Sequence, residues 1–502
     1  MAETESYDLL VIGGGINGAG IARDAAGRGL SVLLCERDDL ASATSSASSK
    51  LIHGGLRYLE QYRFTLVRKA LIEREVLLRA APHIVRPLRF VLPWAGDQRP
   101  AWLLRMGLFI YDHIGGRRLL PGSGAIDLGS HPAGAPLVPG LGTGFEFFDC
   151  RVDDARLVVL SALDAAERGA QIRTRTRYES AARDTEGWTV TLRPPGGGRQ
   201  SVRARALVNA AGAWGPRIAA GLDGAGLGNV PMRLIKGSHI VVPRLYDGDH
   251  AYLLQNSDGR VVFVLPFEEH YSLIGTTDVE FTGDPAVVET SRDEIDYLCQ
   301  VVGRYFTQPI DPANVVWTYS GIRPLFGDAA VEAPAVSREY LLDMDLAAGA
   351  PLLSVHGGKI TTYRRLAEEA LTDLARPLQF RKQAWTRTAP LPGGDMKDAD
   401  FDRFHGTVTR RWPWLPPNLA RRYARAYGTR IERLLSDVRD MRGLGAHFGG
   451  GLYEAEVGYL VDREWARTAD DILWRRSKLG LHLSPEAAVK LSTWLERNAA
   501  RP

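Results

Sequence analysis

Three glycines near the start of the chain, Gly13, Gly15 and Gly18, form a G-x-G-x-x-G string, with Ala22 four residues further on. Glycine at this spacing suits a main chain that turns sharply and comes close to an anion. Gly13 would make the tight turn, Gly15 would admit a pyrophosphate, and Gly18 would let a helix lie close to a strand. Glu36 stands 18 residues after Gly18 and would accept hydrogen bonds from ribose hydroxyls, its charge disfavouring a 2′-phosphate. The chemistry is dinucleotide binding, with FAD and NAD both open on this string alone.

The elements needed to position these residues are legible. YDLLVIG (7–13) is an apolar run of strand length that ends in glycine, GGGINGAGIARDAAGRG has helical spacing, and SVLLCE (31–36) is a second buried strand. Together they read as a βαβ unit whose helix would offer free N–H groups and its positive dipole end to phosphates. Asp153 and Asp154 could cap a helix over ARLVVLSALDAAERGA. WTVTLRP and SVRARALVNA, split by PPGGGR, read as antiparallel strands around a turn. Short β-type runs fill about 231–320 and predict a separate, antiparallel sheet, and from about 390 the sequence turns helical and Arg-rich. TAPLPGGD (388–395) is the best linker candidate.

Composition narrows the function classes. With 502 residues and 24% charged residues, the chain has the makeup of a folded protein of several domains. Its 62 basic and 59 acidic residues give a net charge of +3, too balanced for a general nucleic-acid field. Cys35, Cys150 and Cys299 are far apart and odd in number, which supports neither a disulfide framework nor a cysteine metal site, and no metal is expected. No basic start precedes an apolar stretch, and no apolar run approaches membrane-spanning length.

Longer strings carry a family resemblance. TSSASSKLIHGGLRYLE (44–60), FEFFDCRVDDARLV, IKGSHIVVP, LIGTTD, SGIRPL, SREY and SVHGGKITTYRRLAEEA are similar, in this order, to segments of the aerobic, FAD-dependent glycerol-3-phosphate dehydrogenases. DREWARTADDILWRRSKLGL (462–481) resembles their C-terminal helical domain. ALVNAAGAW (206–214) resembles the second FAD-contacting strand of glutathione-reductase-type flavoproteins. The resemblance implies an α/β fold: a glutathione-reductase-type, Rossmann-like FAD-binding domain, an inserted antiparallel β-rich substrate domain and a C-terminal helical domain. The expected boundaries are 1–80, 145–230 and 320–387 for the FAD domain, 81–144 and 231–319 for the substrate domain, and 388–502 for the helical domain.

The resemblance also implies the chemistry: oxidation of sn-glycerol 3-phosphate to dihydroxyacetone phosphate, with electrons passing to non-covalent FAD and on to a membrane quinone. A phosphate-bearing alcohol needs cations at one end of its pocket, and the planar fork of arginine suits them. Carried over residue by residue, His239, Arg323 and Lys359 are the catalytic candidates, and Arg57, Tyr58, Thr277 and Arg338 bind substrate. Gly13, Gly15, Gly18, Glu36, Ser46, Ser49, Lys50, Ala211, Gly212, Trp214, Gly358, Lys359, Ile360 and Thr361 would hold the cofactor. His239 is the first choice for proton acceptor, with His356 and Arg323 as alternatives. Lys50, Lys236 and Lys359 are three of only eight lysines, and all lie in these strings. A helix from near Ile360 would aim its N-terminus at the flavin. Also implied are a homodimer and peripheral attachment to the cytoplasmic face of the membrane, for which 102–116 and TRRWPWLPP (409–417) are the candidate contacts. A flavin oxidase that reduces O2, or an amine or hydroxy-acid oxidase of the same fold, is the alternative.

Overall fold

The structure is a computed structural model that describes residues 4–96, 100–116, 119–222, 232–256, 259–326, 339–347 and 349–498. Strand Ser6–Ile12 lies at the centre of an eight-stranded sheet, parallel to Val32–Cys35 on one side and to Gln200–Asn209 on the other. It is apolar throughout because both its faces are covered. Leu9 and Val11 face helices Ile16–Gly27, Asp154–Glu167 and Tyr363–Leu378. Leu10 and Ile12 face the opposite core, to which strand Trp188–Arg193 gives Trp188, Val190 and Leu192. Asp153 caps its helix as expected, its carboxylate accepting from the N–H of Arg156 at 3.2 Å.

The second sheet has ten strands and is largely antiparallel, with one parallel pairing between Ala251–Gln255 and Val85–Pro93. Side chains alternate along its strands. Phe90 and Leu92 face the core built on helices Phe64–Ala80 and Ala101–Ile114, whereas Val91 faces the core under helix Arg292–Gly303. The sheet is wider than expected. Leu51–Ile52, Thr143–Val152 and Trp317–Phe326 all pair within it, so 145–152 and 320–326 belong here and not with the nucleotide-binding sheet. The cause is continuous pairing: Thr143–Val152 matches Val85–Pro93 residue for residue.

Beyond about residue 390 the chain forms a helical domain with its own core, which includes Leu419, Tyr423, Tyr427, Val457 and Leu460. Trp412 and Leu415 belong to that core, and Trp414 packs against it. The expected linker is docked: Leu391 is buried and its N–H donates to Ala80 O at 2.8 Å. No helix among the described residues is long and apolar enough to cross a membrane.

One contact couples the two halves of the first motif. Gly13 has φ +109°, and a Cβ on Gly18 would fall 1.9 Å from Gly13 O. Gly18→Ala must therefore push the helix off the strand, at about 1–3 kcal/mol. The expected outcome is a lower midpoint in denaturant unfolding of the purified protein; an unchanged midpoint would show that the helix shifts freely.

Candidate active site

A cavity of about 1380 Å³ runs between the two sheets. At one end are Gly13, Gly15, Ile16 and Asn17, where the first strand gives way to the first helix. Glu36 accepts from Gly14 N at 2.7 Å and from Asp38 N at 2.9 Å. Burial pushes its carboxyl upward, and these two N–H groups work against that shift. Ala211, Gly212 and Trp214 line the same wall, as do Gly358, Lys359, Ile360 and Thr361. Residues 360–362 form a single 3₁₀ turn that runs into helix Tyr363–Leu378. A long, phosphate-bearing dinucleotide fits this half. Main chain with glycines approaches from two sides, a carboxylate stands at the ribose position, and the buried Oδ1 of Asn17 has no protein partner.

The other end is built on two paired strands, Met232–Pro243 and Trp317–Phe326. Side chains alternate, so Gly237, His239, Tyr319, Gly321 and Arg323 share the face turned toward the cavity, and Ser238 and Ser320 share the rear. Gly237 is directly opposite Gly321. A Cβ on Gly237 would lie 2.2 Å from the Arg323 guanidinium, so the missing side chain leaves the space the guanidinium occupies. Arg323 donates to Asp278 Oδ1 at 2.5 Å and to Thr276 Oγ1 at 2.9 Å. Across the cavity, Lys359 Nζ sits 3.9 Å from the centroid of the Tyr58 ring. Arg57, Tyr58, Arg323 and Lys359 all line the cavity.

Other expected residues stand apart. Thr277 is buried and lies outside the lining. Its hydroxyl donates to Glu294 Oε1 at 2.7 Å and accepts from Ser238 N at 2.9 Å. Lys50 is buried against Asp154 at 2.9 Å, beside the cavity and not in it, because an ammonium so deep needs a carboxylate. Ser46 also lies outside the lining, whereas its neighbour Ser45 lines it and accepts from Ile16 N at 3.0 Å. His239 sits one layer behind the wall: it stacks on Tyr319 at 4.8 Å, and its Nε2 lies 2.9 Å from the hydroxyl of the lining residue Ser49. His356 faces Asp343 across the edge strands, 3.8 Å away, and also lies outside the lining. Arg338 is outside the described residues.

The sequence reading missed His53, the only described histidine on the cavity wall, and Asp278, the partner of Arg323. Both lie inside the quoted strings, in SKLIHGG and LIGTTD. Their signal was present: an imidazole directly before a glycine pair, and a carboxylate closing a motif that had to hold a cation.

A dinucleotide cradle joined to a cation-lined pocket between two sheets defines a flavin-dependent oxidoreductase. Residues 8–364 match the FAD dependent oxidoreductase family, and residues 384–493 match the C-terminal domain of alpha-glycerophosphate oxidase. The chain is 53% identical to a glycerol-3-phosphate dehydrogenase of Pseudomonas aeruginosa, covering 98% of this chain and 95% of that one. It is 51% identical to the D-erythritol 1-phosphate dehydrogenase of Brucella abortus, covering 99% of both. The solved Bacillus halodurans glycerol-3-phosphate dehydrogenase, complexed with FAD, superposes with TM-score 0.77 at 26% identity, covering 100% of this chain and 90% of that one. The chain belongs to the FAD-dependent glycerol-3-phosphate dehydrogenase family.

His239 titrates well below an ordinary imidazole, first through burial and then through the charges of Arg323 and Lys50. In the unfolded chain its pKa is about 6.5. Below that pH the unfolded chain binds a proton that the folded chain refuses, so the stability contribution is complete above pH ~6.5 and falls as the pH drops. Urea midpoints measured from pH 8 to 5 should therefore fall more steeply for the wild type than for His239→Gln. Parallel curves would remove His239 as a source of the acid sensitivity.

Proposed function

We propose that this protein oxidises sn-glycerol 3-phosphate to dihydroxyacetone phosphate, using FAD, and passes the electrons to a membrane quinone. The observation that carries this reading is the placement of Arg57, Arg323 and Lys359 on the walls of one cavity that the dinucleotide cradle also opens into. Relatives named glycerol-3-phosphate dehydrogenase, at 51–53% identity over nearly the whole chain, support it.

The phosphate of the substrate is gripped by Arg323 and Lys359, with Arg57 on the wall of the same cavity. Asp278 fixes the Arg323 fork, and Tyr58 seats the Lys359 ammonium. Bound FAD supplies the hydride acceptor: the C2 hydride leaves with its electron pair, the hydroxyl loses its proton, and a ketone remains. We assign that proton to His53, because it lines the same cavity as the cations. His239 orients the Ser49 hydroxyl from behind the wall. The preference for His53 over His239 rests on contact: a general base must reach the proton it takes.

Helix Ala101–Ile114 supports a lipophilic acceptor. Leu103, Leu104, Met106, Gly107 and Ile110 line the cavity, while Trp102 and Phe109 on the same helix are 68% and 60% exposed. This arrangement leads from the reaction chamber to an apolar surface suited to a bilayer interface. The same reading includes peripheral attachment to the cytoplasmic face of the membrane, and a homodimer. Trp102→Ser with Phe109→Ser should leave turnover with a water-soluble dye unchanged and lower both vesicle binding and turnover with a long-chain quinone. Equal vesicle binding by both proteins would place the contact elsewhere.

The test of the reaction is anaerobic mixing of the holoenzyme with glycerol 3-phosphate or D-erythritol 1-phosphate. Bleaching of the flavin band by the first, more slowly by the second, is the expected outcome. Preference for the second would move the substrate to the four-carbon polyol phosphate of the Brucella relative, and no bleaching by either would end the reading. In the same assay His53→Gln should slow reduction by about 10²–10⁴-fold and His239→Gln by less. Reoxidation by O2 as fast as by quinone would favour the oxidase, an alternative raised by the match of residues 384–493.

A further inference from the structure

The helical domain carries the segment Asp471–Arg476, wound as a π-helix, and the reaction proposed above uses none of it. π-Turns concentrate at functional sites because they misalign the side-chain rows and must be held by outside contacts. Here those contacts reach the loop that follows Glu36. Arg476 Nη1 and Nη2 donate to the two oxygens of Asp39 at 2.7 and 2.8 Å, and Arg475 Nε donates to the same carboxylate at 2.6 Å. Asp39 and Arg476 are 2% and 1% exposed. Asp471 accepts from Arg175 Nη2 at 2.6 Å, and the N–H of Arg175 donates to Asp38 O at 2.8 Å. The next N–H, on Thr176, donates to Glu36 O at 2.7 Å.

We propose that the π-helix Asp471–Arg476 is a clamp that sets the ribose-binding loop 36–39 and thereby retains the adenosine half of FAD. Asp39 lies outside the cavity lining, whereas Glu36, Arg37 and Asp38 line it, so Asp39 and Arg476 act as positioning residues. The clamp is anchored at both ends. Arg476 Nε also donates to Glu464 O at 3.0 Å, and the Glu464 carboxylate pairs with Arg156 on helix Asp154–Glu167. Trp474 stacks on Trp317 at 4.5 Å, on the strand that carries Arg323. A buried guanidinium–carboxylate pair fixed on both sides has one geometry, and losing either partner leaves the other charge buried.

The clamp depends on FAD binding and not on the substrate, so its failure would leave the proposed reaction intact. The experiment compares wild type, Asp39→Asn, Arg476→Met, the double variant and Arg476→Lys. It measures FAD release from the holoenzyme by recovery of free-flavin fluorescence, and the Kd of the apoprotein for FAD, AMP and FMN. The expected result is about tenfold or greater loss of FAD affinity in each single variant, a double variant no worse than the singles, and partial rescue by Arg476→Lys. AMP affinity should fall with FAD affinity and FMN affinity should stay within twofold, a split that general loss of packing would not produce. FAD release within twofold of wild type, or equal losses for AMP and FMN, would overturn the clamp. Should Arg476→Met be insoluble, Arg175→Gln carries the same test, since it frees Asp471 from the loop and leaves the Asp39–Arg476 pair in place.

Discussion

A guanidinium can lie back across its own sheet only where the neighbouring strand has no side chain. That condition governs the reactive end of this molecule. Arg323 occupies the space above Gly237, and Gly321, directly opposite Gly237, lets the loop around Ala47 come close from the same side. A Cβ on Gly321 would meet Ala47 at 3.0 Å, and one on Gly275 would meet the His239 ring at 2.1 Å. Three glycines on adjoining strands thus make one depression, into which the first domain inserts residues 44–49 and from which Arg323 faces the cavity. The ten-stranded sheet and the first domain meet here through missing side chains.

The depression holds cations, and its rear is built to tolerate them. Behind Ser238 and Ser320 lies Glu294, whose carboxylate accepts from Ser238 Oγ at 2.8 Å and from Thr277 Oγ1 at 2.7 Å and pairs with Lys236 at 2.8 Å. Burial alone would raise the Glu294 carboxyl, but Lys236 and the surrounding donors hold it below the usual carboxylate range. In front, Asp278 meets Arg323. Burial first, and then the field of Arg323 and Lys50, makes His239 give up its proton so readily. Each charge here is set by the others. A substrate dianion would add to this field where the face is most positive, and the carboxylates would keep the empty pocket from repelling itself apart.

What could be read from the sequence divides along the same physical line. Local constraints were legible. Gly13, Gly15, Gly18 and Glu36 lie in one βαβ unit, where backbone geometry demands the residue types: Gly13 makes the turn, Gly18 lies against it, and Glu36 accepts from Gly14 N. Arg57 with Tyr58, Arg323 and Lys359 come from three separate segments, and only the family resemblance could bring them together. Which way a side chain points was not legible where register decides it. Thr277 and its neighbours Thr276 and Asp278 alternate between rear and cavity, and a one-residue difference reverses the role. The family resemblance made Lys50 a cofactor ligand, yet Asp154, 104 residues away in sequence, pairs with its ammonium. Strand pairing likewise moved 145–152 and 320–326 into the substrate sheet, since no local signal tells which sheet a β-run joins.

The helical domain follows from the same logic of charges held at a distance. A cavity between two sheets is stable only if something fixes the sheets relative to each other on the side away from the opening. Buried arginines hold the elements around the cavity together at several points. Arg156 meets Glu464, Arg476 meets Asp39, and Arg364 meets Glu73 at 2.6 Å, and in each pair at least one partner lies more than 200 residues from the other. Such pairs contribute little net stability, because desolvation offsets attraction, but each tolerates a single geometry. Apolar contacts alone would let the domains slide by fractions of an ångström, whereas a bidentate buried pair does not. Placement of Arg323 against Gly237 and Asp278 requires that tolerance, so the long-range ion pairs define the chamber in which the small motif residues sit.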